Sequence, residues 1–168
     1  MDQSILLQAF QGNNRRVPVW LMRQAGRFLP EYQAIKKSRT LQEMFREPEL
    51  AAKITLLPVD LLKVDAAILF ADILTLPSAM GFKITFVDQK GPVIENPITS
   101  EKDIRAVHDL QGLEYVAQTI KIVNQALPGD IPLIGFAGAP FTVASYLIKN
   151  PSSLGFSSAV RFAMEHPK

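Results

Sequence analysis

The sequence predicts an α/β fold of the barrel type, with only part of the barrel supplied. Short, nearly continuous apolar runs alternate with longer helical stretches along the 168 residues. The apolar runs lack in/out alternation, as expected of parallel strands buried on both faces. Polar or glycine-rich residues follow each run at once. A doubly wound sheet shares the alternation, but polar groups gathered at strand ends favour a (β/α)8 barrel. A complete barrel takes about 250 residues, so this chain reads as an incomplete one with about three of the eight strands.

Val17–Met22 reads as the first strand, Asp65–Ala71 as the second and Ile131–Ala137 as the third. Between the first two, Leu50, Ile54, Leu57 and Leu61 fall at helical spacing within Glu47–Val64, and Pro58 is expected to kink or split that helix. Ser100–Leu127 reads as one helical region. Ser100 and Asp103 resemble a capping box, and Leu113, Val116, Ala117, Ile120 and Val123 form the apolar stripe. Pro128-Gly129 stops it. Lys83–Val87 and Pro92–Glu95 flank Asp88-Gln-Lys-Gly91 and read as a peripheral β-hairpin. Ser157–Glu165 reads as a short final helix.

Apolar residues make up 48% and charged residues 20%, enough for a buried core and unlike a disordered chain. A net charge of +2 is too weak to argue for nucleic acid or an acidic membrane as partner. The chain has no cysteine, which excludes disulfides, thiolate zinc ligands and a thiol nucleophile within it. The start MDQSILLQAF lacks a basic, long apolar signal, and no apolar run reaches about 18 residues, so a soluble cytoplasmic protein is expected. No phosphate-binding glycine loop is present, so nucleotide cofactors are not indicated. His108 and His166 lack the partners of a triad or metal site and are read as structural or solvent-facing; no metal site is expected.

The candidate site lies at the three strand ends. The first strand runs into Arg23-Gln24-Ala25-Gly26-Arg27. Two guanidinium forks suit carboxylate or phosphate, and Gly26 allows a tight turn and close backbone approach. The competing reading is two arginines in surface ion pairs. The second strand runs into Asp72, either a cap for the segment from Ile73 or an acceptor that stabilises developing positive charge. The third runs into Gly138-Ala-Pro-Phe-Thr142 and a helix bearing Tyr146. That tyrosine is either a core residue or a hydroxyl aimed into the mouth. Trp20 reads as core.

These residues carry a resemblance. Pro18–Arg27 matches the first signature of the uroporphyrinogen decarboxylase family, and Gly135–Tyr146 is similar to its second. Ala67–Leu74 resembles the segment with that family's catalytic aspartate, and the similarity stays in register over nearly the whole chain. The resemblance implies a cytoplasmic homodimer with a (β/α)8 barrel and no cofactor. It implies removal of carbon dioxide from the four acetate side chains of uroporphyrinogen III, giving coproporphyrinogen III. On this likeness Asp72, Arg23 and Arg27 are catalytic. Arg23 and Arg27 bind carboxylates with backbone help from Gln24 and Ala25, Asp72 accepts the pyrrole N–H groups, Tyr146 hydrogen-bonds near Asp72 or the substrate, and Phe136 lines the pocket. The proton donor is left open between a buried arginine and a bound water.

Two departures stand out. Leu147-Ile-Lys-Asn-Pro-Ser differs from the family pattern after Tyr146. The chain also has about half the family's length, so the later serine or threonine and the C-terminal histidine have no counterpart. It therefore reads as the N-terminal part of one barrel domain, inactive alone, with an open sheet edge that favours association. Two alternatives remain: a cobamide-dependent methyltransferase of the same superfamily, and a non-catalytic half-barrel that binds a partner chain or porphyrinogen.

Overall fold

A computed structural model describes residues 4–23, 28–87, 91–105, 110, 112–148 and 157–166. In chain order its elements are α1 (Ile5–Phe10), α2 (Pro30–Lys36), α3 (Leu41–Arg46), α4 (Pro48–Leu62), β1 (Ala67–Ile68), α5 (Thr75–Ala79), β2 (Ile84–Val87), β3 (Gly91–Ile94), α6 (Glu101–Arg105), α7 (Glu114–Ala126), β4 (Leu133–Ile134), α8 (Pro140–Leu147) and α9 (Ser157–Glu165). They divide into two compact units, one of residues 1–71 with 114–136 and one of residues 72–113 with 137–168.

The first unit is a small parallel sheet packed with helices. β1 and β4 pair in parallel, Ala67 opposite Leu133 and Ile68 opposite Ile134. The pairing extends through Ala67 N–H to Pro132 O and Leu69 N–H to Ile134 O, both at 3.0 Å. The parallel βα arrangement expected from the second and third apolar runs is therefore present, with shorter strands than expected. Val59, Val64 and Ala67 form one core cluster against Leu127, Ile131 and Leu133. Leu29, Tyr32, Met44 and Ile54 form another, with Phe70 edge-on to Tyr32 at 5.9 Å.

The expected first strand, Val17–Met22, does not form one. Asp65 N–H donates to Val19 O at 2.7 Å, as a ladder would. The Val19 N–H, however, donates to the Asp65 side chain at 2.7 Å instead of to a backbone carbonyl. A carboxylate thus diverts the ladder after one bond. Burial does not restore it, since Val17, Val19, Trp20, Leu21 and Met22 are all exposed. Trp20 is therefore no core residue in this chain.

α4 also departs from expectation. It runs unbroken past Pro58, which is fully buried, so packing offsets the lost backbone donor. Its buried face is Ala51, Ala52, Ile54, Thr55, Pro58 and Val59, while Leu61 is exposed. Thr55 is the polar member of that face. Its hydroxyl donates to Ala51 O at 2.8 Å and accepts from Phe70 N–H at 3.0 Å, fastening α4 to the chain just after β1.

The expected single helix over Ser100–Leu127 is two, α6 and α7. Gly112 between them has φ +71°, a left-handed value that ends helical propagation. On α7 the buried positions are Thr119 and Val123, whereas Ala117 is exposed. Thr119 sits inside because its hydroxyl bonds Tyr115 O at 2.8 Å. α1, α2, α3 and α5 were not expected, although Thr40 and Glu43 form a capping box at α3.

The second unit centres on an antiparallel hairpin. β2 and β3 pair with Ile84 opposite Ile94, as the sequence indicated. Leu74, Phe82, Ile84, Ile94, Ile98, Leu147, Ile148 and Ala159 are its buried core. Ile98 bridges in parallel to Ile148, with Ile98 N–H bonded to Leu147 O at 2.7 Å. At the start of α6 the Asp103 carboxylate accepts from the backbone N–H and hydroxyl groups of both Thr99 and Ser100. α9 spans the residues expected of it, Ser157–Glu165.

Thr55→Val removes the acceptor for a buried amide while keeping the side-chain volume. Chemical denaturation should show a loss of about 1–3 kcal/mol, the usual result of stranding a buried donor. An unchanged midpoint would mean that the Phe70 amide has another acceptor.

Candidate active site

Arg23 ends the described part of the exposed segment, one residue before positions 24–27. Gln24, Ala25, Gly26 and Arg27 lie outside the described residues. Arg23 has φ +57°, a region a non-glycine residue enters only at a cost of about 1–2 kcal/mol. Its side chain is exposed.

The segment leading to Arg23 is tied down by a contact that sequence reasoning missed. Asp65, buried at 6% exposure, accepts both arms of the Arg16 guanidinium, Nη1 to Oδ2 at 2.7 Å and Nη2 to Oδ1 at 2.5 Å. The Arg16 hydrogen bond holds the Asp65 carboxyl below its ordinary value against the opposing effect of burial, helped by the Val19 amide and the Arg16 charge. A carboxylate depressed on folding stabilises the folded chain above its unfolded pKa. That contribution is lost as pH falls through the lower folded value, below about 4. The sequence signal was an acidic residue opening an otherwise apolar run, with nothing local to neutralise it.

Asp72 behaves in the opposite way. It is half-buried, and its Oδ1 accepts from Leu74 N–H at 2.8 Å while Thr75 N–H bonds its backbone carbonyl at 3.1 Å. This is an Asx turn ahead of α5, whose N-cap is Leu74 and has no side-chain cap bond. Desolvation nevertheless raises its pKa, and the Leu74 amide only partly opposes that rise. The local turn therefore accommodates Asp72 without neutralising its charge.

Gly138 sets the distance between the Asp72 turn and the loop before α8. A methyl group at Gly138 would lie 2.6 Å from Val143 Cγ2 and 3.3 Å from Ile73 Cβ. Neither neighbour gives way easily, since both are β-branched. Glycine thus lets the loop close directly onto the residue following Asp72. Tyr146, on α8, is half-buried and packs against the core that includes Leu74, with Ile73 on the same cluster. Asp72 and Tyr146 belong to the second unit, Arg23 and Phe136 to the first. Phe136 follows β4 and is exposed.

His166 Nδ1 lies 3.1 Å from Glu101 Oε1, a carboxylate partner the sequence did not reveal. His108 lies outside the described residues. Among the described residues no group of three His, Cys, Asp or Glu is arranged to hold a metal, and no helix is long and apolar enough to cross a membrane.

Parallel pairing of β1 with β4, with helices packed against them, defines an α/β protein. Residues 1–168 match the family model described as Uroporphyrinogen decarboxylase (URO-D). The chain belongs to the uroporphyrinogen decarboxylase family. It is 47% identical over 167 residues to a relative of that name from Protochlamydia amoebophila, covering 97% of this chain and 45% of the relative. Similar relatives of the same name come from Geobacter metallireducens (48% identity, 91% of this chain, 45% of the relative) and Carboxydothermus hydrogenoformans (44%, 100% and 49%). The chain thus spans about half the length of the curated relatives it matches. Its fold is shared with a solved methyltransferase from Methanosarcina mazei at a TM-score of 0.66 and 21% identity, over 98% of this chain and 48% of that one.

A raised carboxylate pKa has a fixed consequence for stability. The folded state holds the Asp72 proton more tightly than the unfolded state, so ionisation weakens folding as pH rises through the interval between the two values, and the penalty persists at neutral pH. Asp72→Asn keeps an oxygen for the Leu74 amide and removes the charge. Thermal unfolding at pH 7 should therefore show a midpoint equal to or above that of the parent, with no gain at pH 3. A clear loss at pH 7 would show that the ionised carboxylate stabilises the fold.

Proposed function

We propose that this chain supplies one wall of a uroporphyrinogen decarboxylase site, as the N-terminal part of a single (β/α)8 barrel domain. The observation that carries the reading is Asp72, a desolvated carboxylate at a strand end whose local hydrogen bonds leave its pKa raised. Such a group gains most from a positive partner. The reaction creates one: protonating a pyrrole carbon makes the ring cationic, and the acetate carbon–carbon bond then breaks towards the ring as carbon dioxide leaves. Protonation of the resulting methylene and loss of the added ring proton give the methyl group and restore the pyrrole. A carboxylate facing the ring nitrogens stabilises the cation and holds the substrate centrally.

Arg23 and Arg27 take peripheral carboxylates, with backbone groups of Gln24, Ala25 and Gly26 adding donors. Phe136 covers an apolar part of the macrocycle, and the Tyr146 hydroxyl hydrogen-bonds beside Asp72 or to the substrate. Supporting this assignment are the 47% identity to a decarboxylase relative and the accord between an octacarboxylate substrate and an arginine-bearing loop. No cofactor is required by this chemistry, and a cytoplasmic homodimer is the expected working form. The likeness to a methyltransferase is one of fold, and nothing in the described site favours methyl transfer over decarboxylation.

The test grafts residues 1–168 onto the C-terminal portion of the Geobacter metallireducens relative and follows coproporphyrinogen formation. The graft should be active, Arg23→Ala should lose about a hundredfold and Asp72→Asn about a thousandfold or more, with the fold retained by circular dichroism. Near-parental turnover in either variant would sink that residue's assignment. Turnover by the 168 residues alone would overturn the view that they form only one wall.

A further inference from the structure

We infer that Asp65, acting with Arg16, is the positioning group for Arg23, fixing the backbone that leads to it through a buried carboxylate clamp. The inference rests on the proposed reading of Arg23 as a carboxylate contact, and it adds residues that are no part of that site. Arg23 is seven residues from Arg16 and four from Val19. Val17 is 77% exposed and Met22 78%, so burial does little to locate these two residues.

Four hydrogen bonds join the segment to Asp65. The Arg16 fork seats both nitrogens on the Asp65 carboxylate. Val19 N–H donates to Oδ2 of the same group, and Asp65 N–H donates back to Val19 O. One residue thus grips the segment through side chain and backbone together. A bidentate arginine pair fixes direction as well as distance, which a single lysine contact would not. Asp65 in turn sits at the foot of β1, whose Ala67 is fully buried against β4. The clamp therefore ties the segment that leads to Arg23 to the paired strands β1 and β4.

The experiment compares Asp65→Asn and Arg16→Gln with the parent 168-residue chain, using amide hydrogen exchange and the backbone chemical shifts of Arg23. A parallel arm puts the same substitutions into the graft with the C-terminal portion of the Geobacter metallireducens relative and measures binding of uroporphyrin III, the stable oxidised octacarboxylate, by fluorescence. Both variants should speed exchange of the amides of residues 19–23 by about tenfold and shift Arg23 out of the left-handed region, while amides of α4 exchange as in the parent. Uroporphyrin affinity should fall about tenfold with them, and Arg16→Lys should recover part of the loss. Arg39→Gln, which breaks the exposed Arg39–Glu47 pair, should change none of these.

Parent-like exchange and Arg23 shifts in either clamp variant would overturn the inference. So would faster exchange spread evenly through α4, since that marks a merely structural role. If Arg23→Ala binds uroporphyrin as the parent does, or the parent does not bind it at all, the reading of Arg23 as a carboxylate contact fails instead. The exchange and shift data then still decide whether the clamp exists.

Discussion

β1 is buried, and this forces its polar neighbours to its ends. Asp65 precedes the strand and Asp72 follows it, seven residues apart, and their surroundings drive them in opposite directions. Asp65 is met by a guanidinium and an amide and becomes a stronger acid. Asp72 is met by one turn amide and stays a desolvated carboxylate. One end of the strand is electrostatically satisfied and structural. The other holds a charge that the fold tolerates without neutralising, a pattern that assigns separate tasks to paired acids in many active sites.

The two ends depend on each other through the strand. Asp65 can hold the Val17–Arg23 segment only because β1 is itself locked, by parallel pairing with β4 and by the Thr55 hydroxyl reaching Phe70 N–H. The chain leaving β1 then carries Asp72 into a turn that Gly138 allows the next loop to approach closely. A small number of polar contacts thus connect the core of the first unit to the arginine segment. Most of the apolar burial supports the scaffold, whereas the side chains of the Val17–Arg23 segment are largely exposed and its backbone is bonded to Asp65 at Val19.

Much of this was legible in the sequence because it follows from periodicity and punctuation. The apolar runs around Ala67 and Leu133, the hairpin around Gly91, the stop at Pro128-Gly129 and the limits of α9 are local signals. What failed depended on distant partners. Val17–Met22 has the composition of a buried strand, but its ladder is diverted by a side chain 46 residues away. Pro58 should break α4 by local rules, yet its burial overrides them. Asp72 was visible as a polar residue ending an apolar run, while its desolvation was not, because that depends on packing around the turn. Asp65 looks in sequence like the edge of a strand for the same reason: its partner, Arg16, lies 49 residues away.

The central claim is that Asp72 is retained as a poorly neutralised carboxylate in order to face a pyrrole cation. A crystal structure of the graft with uroporphyrin III bound tests it most directly. A carboxylate oxygen of Asp72 is expected about 3 Å from the central nitrogens, with the Arg23 guanidinium on a peripheral carboxylate. A tetrapyrrole seated elsewhere, with Asp72 still engaged only by the Leu74 amide, would contradict it.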